Sequence, residues 1–199
     1  MNGEPAPAAP SETDGALIER ARSGEQDAFA ELVRRYSTIA HRTAVLIAGP
    51  GDAEDAVQEA LVRAFYALGR FRADSPFKPW LLAIVANAAR NKLRSSGKQP
   101  RLCDRLSADR ALGPVRAVQS AETVALDAAE RRSLAAAVDR LPPNGRLAVT
   151  CRYLLELSEA ETAQVLDWPV GTVKSRLSRA LDALRADLAE SSSEAGGGR

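Results

Sequence analysis

An all-α fold, arranged as two small helical domains joined by a flexible linker with a helix-turn-helix in the second, follows from three observations. Aromatic residues make up only 5% of the chain and β-branched runs are few, while alanine and leucine are abundant, a poor composition for strands. Apolar residues recur at helical spacing along most of the sequence. Between two such patterned stretches, residues 95–121 lose steady periodicity and contain Gly97, Pro100, Gly113 and Pro114, the punctuation of a linker. A chain of 199 residues suits one ordinary domain or two small ones, each with a modest core.

Composition also bounds function. The net charge of +1 argues against a generic nucleic-acid coat, but the charge is clustered. Residues 90–105 carry Arg90, Lys92, Arg94, Lys98, Arg101 and Arg105 against Asp104 alone, an electrostatic footprint of nucleic-acid binding. Cys103 and Cys151 lie far apart without a CxxC, and His41 is the single histidine. A zinc site is not expected, and a reduced, cytoplasmic chain is. No nucleophile–base pair, metal cluster or glycine-rich phosphate loop stands out, so neither catalysis nor a cofactor is expected. No apolar run is long enough for membrane insertion, and the acidic, proline-rich start is unlike a signal peptide.

In chain order, residues 1–12 read as a disordered tail. A helix from Thr13 breaks near Ser23-Gly24. Ala28, Phe29, Leu32, Val33, Tyr36, Ile39 and Ala40 then outline an amphipathic helix reaching towards Ile47. Gly49-Pro50-Gly51 is a strong break. The next helix opens at Asp52, its acids suited to the positive end of the helix dipole. Val57, Leu61, Ala64, Phe65 and Leu68 form its buried side; Asp55, Gln58, Glu59 and Val62 share another face, either a solvated acidic surface or a docking one.

The loop Gly69 to Phe77 holds Phe71, Arg72 and Phe77. Aromatic rings beside arginine suit unstacked bases, although either ring can instead fold onto the core. A helix over Lys78 to Arg94 follows. Opposite its apolar stripe, Trp80, Asn87, Arg90, Asn91 and Arg94 gather on one face. Such a strip can stack on a base, hydrogen-bond base edges and grip phosphate; the alternative has Trp80 capping the core. The linker, 95–121, is basic, with a helical turn near Asp104. Its 27 residues span at most roughly 90 Å when extended.

The C-terminal part, 122–190, starts with a helix over Thr123 to Arg140 and a Leu141-Pro142-Pro143 corner. The next helix places Cys151 on a core stripe with Leu147, Leu154 and Leu155. Ser158 and Glu161 form a capping box. Asp167-Trp168-Pro169 stops that helix, Gly171 gives a tight corner, and Thr172 is a candidate N-cap. Val173, Leu177, Leu181, Leu184 and Leu188 are the apolar stripe of the last helix. Ser175, Ser178 and Arg179 lie opposite, flanked by Lys174 and Arg176. The pattern reads as a DNA-binding helix-turn-helix, with an ordinary helical hairpin as the plainer alternative. Residues 191–199 read as a second disordered tail.

Three stretches carry a family resemblance. Pro169-Val170-Gly171-Thr172-Val173-Lys174-Ser175-Arg176-Leu177-Ser178-Arg179-Ala180 resembles a signature of bacterial sigma factors of the extracytoplasmic-function (ECF) type. Asp52-Ala53-Glu54-Asp55-Ala56-Val57-Gln58-Glu59 is similar to that family's DAEDxxQE motif. Residues 80–94, WLLAIVANAARNKLR, resemble its WLxxIAxNxxxDxLR, with Asn91 in place of the usual acid. The resemblance implies a region 2-like domain over 13–94 and a region 4-like domain over 122–190. It implies core RNA polymerase binding by Asp55, Gln58 and Glu59. It implies −10 recognition and strand opening by Phe71, Arg72, Phe77, Trp80, Asn87, Arg90, Asn91 and Arg94. Duplex recognition at −35 falls to Thr172, Lys174, Ser175, Arg176, Ser178 and Arg179. Partners are then core polymerase and promoter DNA, duplex and single-stranded, with an anti-sigma protein as a further candidate. A stand-alone helix-turn-helix repressor or activator is the alternative, but it has no need of the strip on 80–94 or the acidic face on 55–59.

Overall fold

The computed structural model describes residues 12–72, 75–97, 100–110 and 132–196, all helix, turn or loop without a strand. The expected N-terminal tail up to residue 11, most of the linker beyond residue 110, and the start of the helix expected from Thr123 lie outside the described residues.

Helix α1 (Asp14–Arg22) is capped by Thr13, whose side chain accepts from the Ala16 amide at 3.3 Å. It is tied to α2 (Gln26–Ala48) through Asp14, which meets Arg35 at 3.0 Å and accepts from the Tyr36 hydroxyl. Gly49 ends α2 at φ 90°, a conformation suited to glycine. An added Cβ there would also meet the Pro100 ring at 2.5 Å. Helix α3 (Pro50–Ala67) starts two residues before the expected Asp52, because proline is already shaped for the first helical position. A 3₁₀ turn (Leu68–Arg70) leads to α4 (Phe77–Ser96). Helices α2, α3 and α4 pack on one another around Leu32, Leu46, Leu81, Leu82 and Val85. Burying each such aliphatic side chain stabilises by about 1.5–3 kcal/mol.

The stretch expected to be a flexible linker contains α5 (Leu102–Arg110). Leu102 and Arg105 are both buried, and α5 packs against α2. Beyond it come α6 (132–140), α7 (Pro143–Val149), a π turn over Thr150–Leu154, α8 (Glu159–Leu166) and α9 (Val170–Gly196). Helix α9 continues through residues 191–196, where a disordered tail was expected; the serines, Glu194 and Ala195 include no helix breaker before Gly196.

Two separate small cores were expected, and the packing differs. Cys151, Leu155, Leu157, Val165 and Leu166 join the apolar cluster of α1–α4, and α8 lies along α4. A second cluster unites α6, α7 and α9 with Leu102 of α5. The two halves therefore share buried apolar surface, which holds them together by the ordinary hydrophobic effect.

Candidate functional site

The helix-turn-helix is built from local rules. Ser158 accepts from the Glu161 amide at 3.2 Å, and Glu161 accepts from the Ser158 amide at 2.8 Å, closing the capping box. That amide, and then the Ser158 hydroxyl, hold the Glu161 carboxyl below its ordinary range. Asp167 ends α8 in the left-handed region at φ 56°, tolerable because its short polar side chain resembles glycine's usual substitutes there. Helix α9 then begins at Val170, not after an N-cap at Thr172; the Thr172 and Val173 amides already donate to the Pro169 carbonyl at 2.9 and 3.1 Å. Gly171 thus sits inside the first turn.

Val173, Leu177, Ala180 and Leu184 are buried, while Lys174, Ser175, Ser178 and Arg179 are exposed. Arg179 folds back on Ser175, its Nε 3.1 Å from that residue's carbonyl oxygen. Lys174 lies 3.7 Å from Glu159. Thr172 is half-buried. Arg176 is also half-buried: its guanidinium stacks on the Trp168 ring at 3.9 Å, and its Nη1 is buried with no hydrogen-bond partner. The ring, not a carboxylate, holds this arginine. Sequence patterning had placed Arg176 on the exposed flank; nothing in local spacing announces a ring in the preceding turn as its partner.

On α4, Asn87, Asn91 and Arg94 are exposed. Arg94 Nη2 donates to Asn91 Oδ1 at 2.7 Å, and Arg90 Nη2 donates to Asn87 Oδ1. The strip is thus a ladder of paired amides and guanidiniums. Arg90 also points its Nη1 at the Leu166 carbonyl of α8, 3.4 Å away, and burial lowers its pKa. Trp80 is half-buried, its ring 4.8 Å from that of Phe71 and 5.4 Å from that of Phe77. Phe71 and Phe77 are each only 4% exposed, so neither is the exposed stacking platform expected. Arg22 donates to the carbonyls of Leu68 and Phe71, drawing the loop inward, and Tyr36 packs on Phe77 at 5.3 Å. Arg72 is exposed.

The acidic face of α3 lines a shallow cleft with Val62, Arg63 and Lys92. Asp55 and Gln58 are exposed and Glu59 half-buried. Arg63 pairs with Glu59 at 2.5 Å, while Lys92 of α4 lies 3.7 Å from Asp55 and 4.0 Å from Glu59. Further along the same helix Val62, Phe65 and Tyr66 are exposed, Tyr66 at 80%. Phe65 was expected on the buried side, but it rests edge-on against Phe29 at 5.1 Å and remains half in solvent. The Phe65 and Tyr66 rings also meet edge-on at 5.8 Å. Tyr66 was legible as a candidate only from its place one turn beyond Val62.

Among the described residues no group of His, Cys, Asp and Glu is arranged to hold a metal, and no helix is long and apolar enough to cross a membrane. The Sigma-70 region 2 family model matches residues 32–99, and that of Sigma-70, region 4 matches residues 131–184. Over 179 residues the chain is 38% identical to the ECF RNA polymerase sigma-E factor of Escherichia coli (strain K12), covering 86% of this chain and 92% of that protein. It is 35% identical to the ECF RNA polymerase sigma-E factor of Haemophilus influenzae, covering 84% and 91%. The structure of CnrH in complex with the cytosolic domain of CnrY superposes with a TM-score of 0.61 at 27% identity, covering 90% of this chain and 99% of that one. With both sigma-70 regions matched in chain order and full-length relatives above a third identical, the chain belongs to the ECF family of RNA polymerase sigma factors, which are initiation factors and not enzymes.

Proposed function

We propose that this sigma factor divides its work between three surfaces. The acidic face of α3, with Asp55, Gln58 and Glu59 beside exposed Val62 and Tyr66, docks core polymerase. The ladder on α4, Asn87, Arg90, Asn91 and Arg94, takes the −10 element as its strands part. The start of α9, with Thr172, Lys174, Ser175, Ser178, Arg179 and Arg176 held on the Trp168 ring, enters the major groove of the −35 element. The observation that carries the reading is the α4 ladder. A run of alternating amides and guanidiniums, exposed at Asn87, Asn91 and Arg94 and half-buried at Arg90, offers base edges hydrogen bonds and phosphates charge. A helix-turn-helix regulator that binds only duplex DNA does not use such a strip. The region 2-like part then corresponds to 13–94, the region 4-like part to 122–190, and the chain acts in the cytoplasm, where the chromosome is.

The closed packing sets a condition. Promoter elements one and a half to two helical turns apart require roughly 50–70 Å between the two contact surfaces, whereas α8 here lies against α4 and holds Arg90. The halves separate when the polymerase is engaged. An inhibitory protein that favours the closed pair fits the same surfaces; the similar chain CnrH has been solved in complex with the cytosolic domain of CnrY.

Run-off transcription with purified core polymerase on genomic fragments tests the reading: discrete start sites are expected only when the chain is added. Asp55→Ala with Gln58→Ala is expected to weaken association with core while leaving duplex binding intact; equal co-purification would make the α3 face a solvated one. Asn87→Ala with Asn91→Ala is expected to lower permanganate reactivity of the −10 region without changing core association. Unchanged reactivity would remove the ladder from strand opening.

A further inference from the structure

Where the halves meet, a cavity of ≈ 90 Å³ opens between α2, α4, α5 and α7. Much of its wall is apolar, including Leu46, Leu93 and Leu147, yet three guanidiniums line it: Arg90 from the N-terminal half, Arg105 from α5 and Arg146 from the C-terminal half. Arg105 is only 4% exposed. One carboxylate serves two of the three. Asp139 lies 3.0 Å from Arg105 and 3.9 Å from Arg146, and its other oxygen accepts from the Leu102 amide at 2.7 Å. Arg90 meets only neutral acceptors, the Asn87 amide oxygen and the Leu166 carbonyl.

The three cations have one carboxylate within ion-pair distance, Asp139, while Asp104 and Asp167 act on Arg105 and Arg90 only from further off; in a largely apolar setting this leaves the pairing incomplete, and buried charge is stable only when paired. Hydrogen bonding is incomplete in the same sense. Arg105 and Arg146 each retain a buried Nε–H with no acceptor, whereas buried donors are ordinarily satisfied. Desolvation lowers the pKa of both Arg90 and Arg105, outweighing the opposing pull of Asp167 on the first and of Asp139 and Asp104 on the second. The volume admits several water molecules, hence a small oxyanion but not a nucleotide.

We propose that this cavity binds a small tetrahedral oxyanion of the phosphate class through Arg90, Arg105 and Arg146, and that the bound ion holds the two halves closed. Guanidinium forks match the oxygens of such an ion. Since the walls come from both halves, the site exists only in the closed arrangement, and whatever binds there opposes opening by linkage. The proposal rests on the cavity alone and stands whether or not the promoter contacts are as assigned.

The test uses the full chain with Cys103→Ser, leaving Cys151 as the single thiol. Cys151 is fully buried in the cluster shared by the halves, so its alkylation rate reports opening. Inorganic phosphate is titrated against chloride at constant ionic strength, with sulfate and acetate as further arms. Phosphate at ten times its dissociation constant is expected to slow alkylation roughly tenfold, since opening falls by the factor 1 + [L]/Kd. Sulfate is expected to follow phosphate, and acetate to act weakly. Arg90→Gln, which breaks no ion pair, is expected to weaken the phosphate effect at least tenfold, and Arg146→Lys, keeping charge but losing the fork, to weaken it less. Phosphate acting no more than chloride, or acting equally on the parent and on both variants, overturns the proposal. If acetate alone protects, the site takes carboxylates and the assignment to phosphate-class ions fails.

Discussion

The stack of Arg176 on Trp168 shows how one residue can decide what its neighbour does. A cation over an indole face is worth about 0.5–2 kcal/mol, more when desolvated, and an immobilised guanidinium loses less entropy when it meets DNA. Trp168→Leu keeps an apolar side chain in the turn but removes the ring face. It is expected to weaken duplex binding by roughly 3- to 10-fold, the size of about 1 kcal/mol, while Trp168→Tyr retains most of the affinity. In an Arg176→Ala background Trp168→Leu is expected to add nothing. Additive losses in that cycle, measured by fluorescence anisotropy on promoter duplex, would show that Trp168 acts on the turn and not through Arg176.

At the scale of the element, α8 depends on its first turn. It has only eight residues, too few to be stable by propensity alone, so the cap and the apolar contacts carry it. Ser158→Ala is expected to destabilise the protein by about 0.5–2 kcal/mol, read as a lower midpoint in thermal unfolding. The box also carries a pH dependence. Because the Glu161 carboxyl is held below its ordinary 4.5, its contribution is present above that value and disappears as pH falls through the lowered folded pKa. The difference in midpoint between the parent and Glu161→Gln is therefore expected to shrink below about pH 4.5; a constant difference down to the acid limit would show that Glu161 acts by packing. Helix α3 illustrates the opposite case, in which one element serves two faces: Ala53, Ala56, Ala60 and Ala64 are buried, and small side chains there let α2 and α4 approach while the charged and aromatic face stays at the surface.

For the whole molecule, the shared core makes opening measurable. Burial lifts the Cys151 thiol to about 12, so little thiolate exists at neutral pH and the closed chain is expected to resist alkylation. In the Cys103→Ser chain, adding core polymerase is expected to accelerate Cys151 labelling by tenfold or more as the halves part. Labelling that stays slow in the complex would mean that polymerase binds the closed form.

What the sequence determined by itself was whatever neighbouring residues decide: most of the helices, the Ser158–Glu161 capping box, the stop of α8 at Asp167-Trp168-Pro169, the acidic face of α3 and the amide–guanidinium face of α4. Each follows from backbone preferences, hydrogen bonds or periodicity over a few residues, and those signals survive without knowledge of the fold. Boundaries slipped by about two residues at Pro50 and about three at Val170, where a terminal turn can be won by either of two starts. Tertiary structure decided the rest. Phe71 is buried because Arg22, 49 residues earlier, holds its carbonyl; Arg90 is half-covered because Leu166, 76 residues later, lies against it; Arg105 leaves the linker for the interior because Leu46 and Asp139 accept its hydrogens. A loop aromatic or a basic linker has the same local appearance whether buried or exposed. Only the long-range packing that brings such partners together supplies the energy that settles the choice.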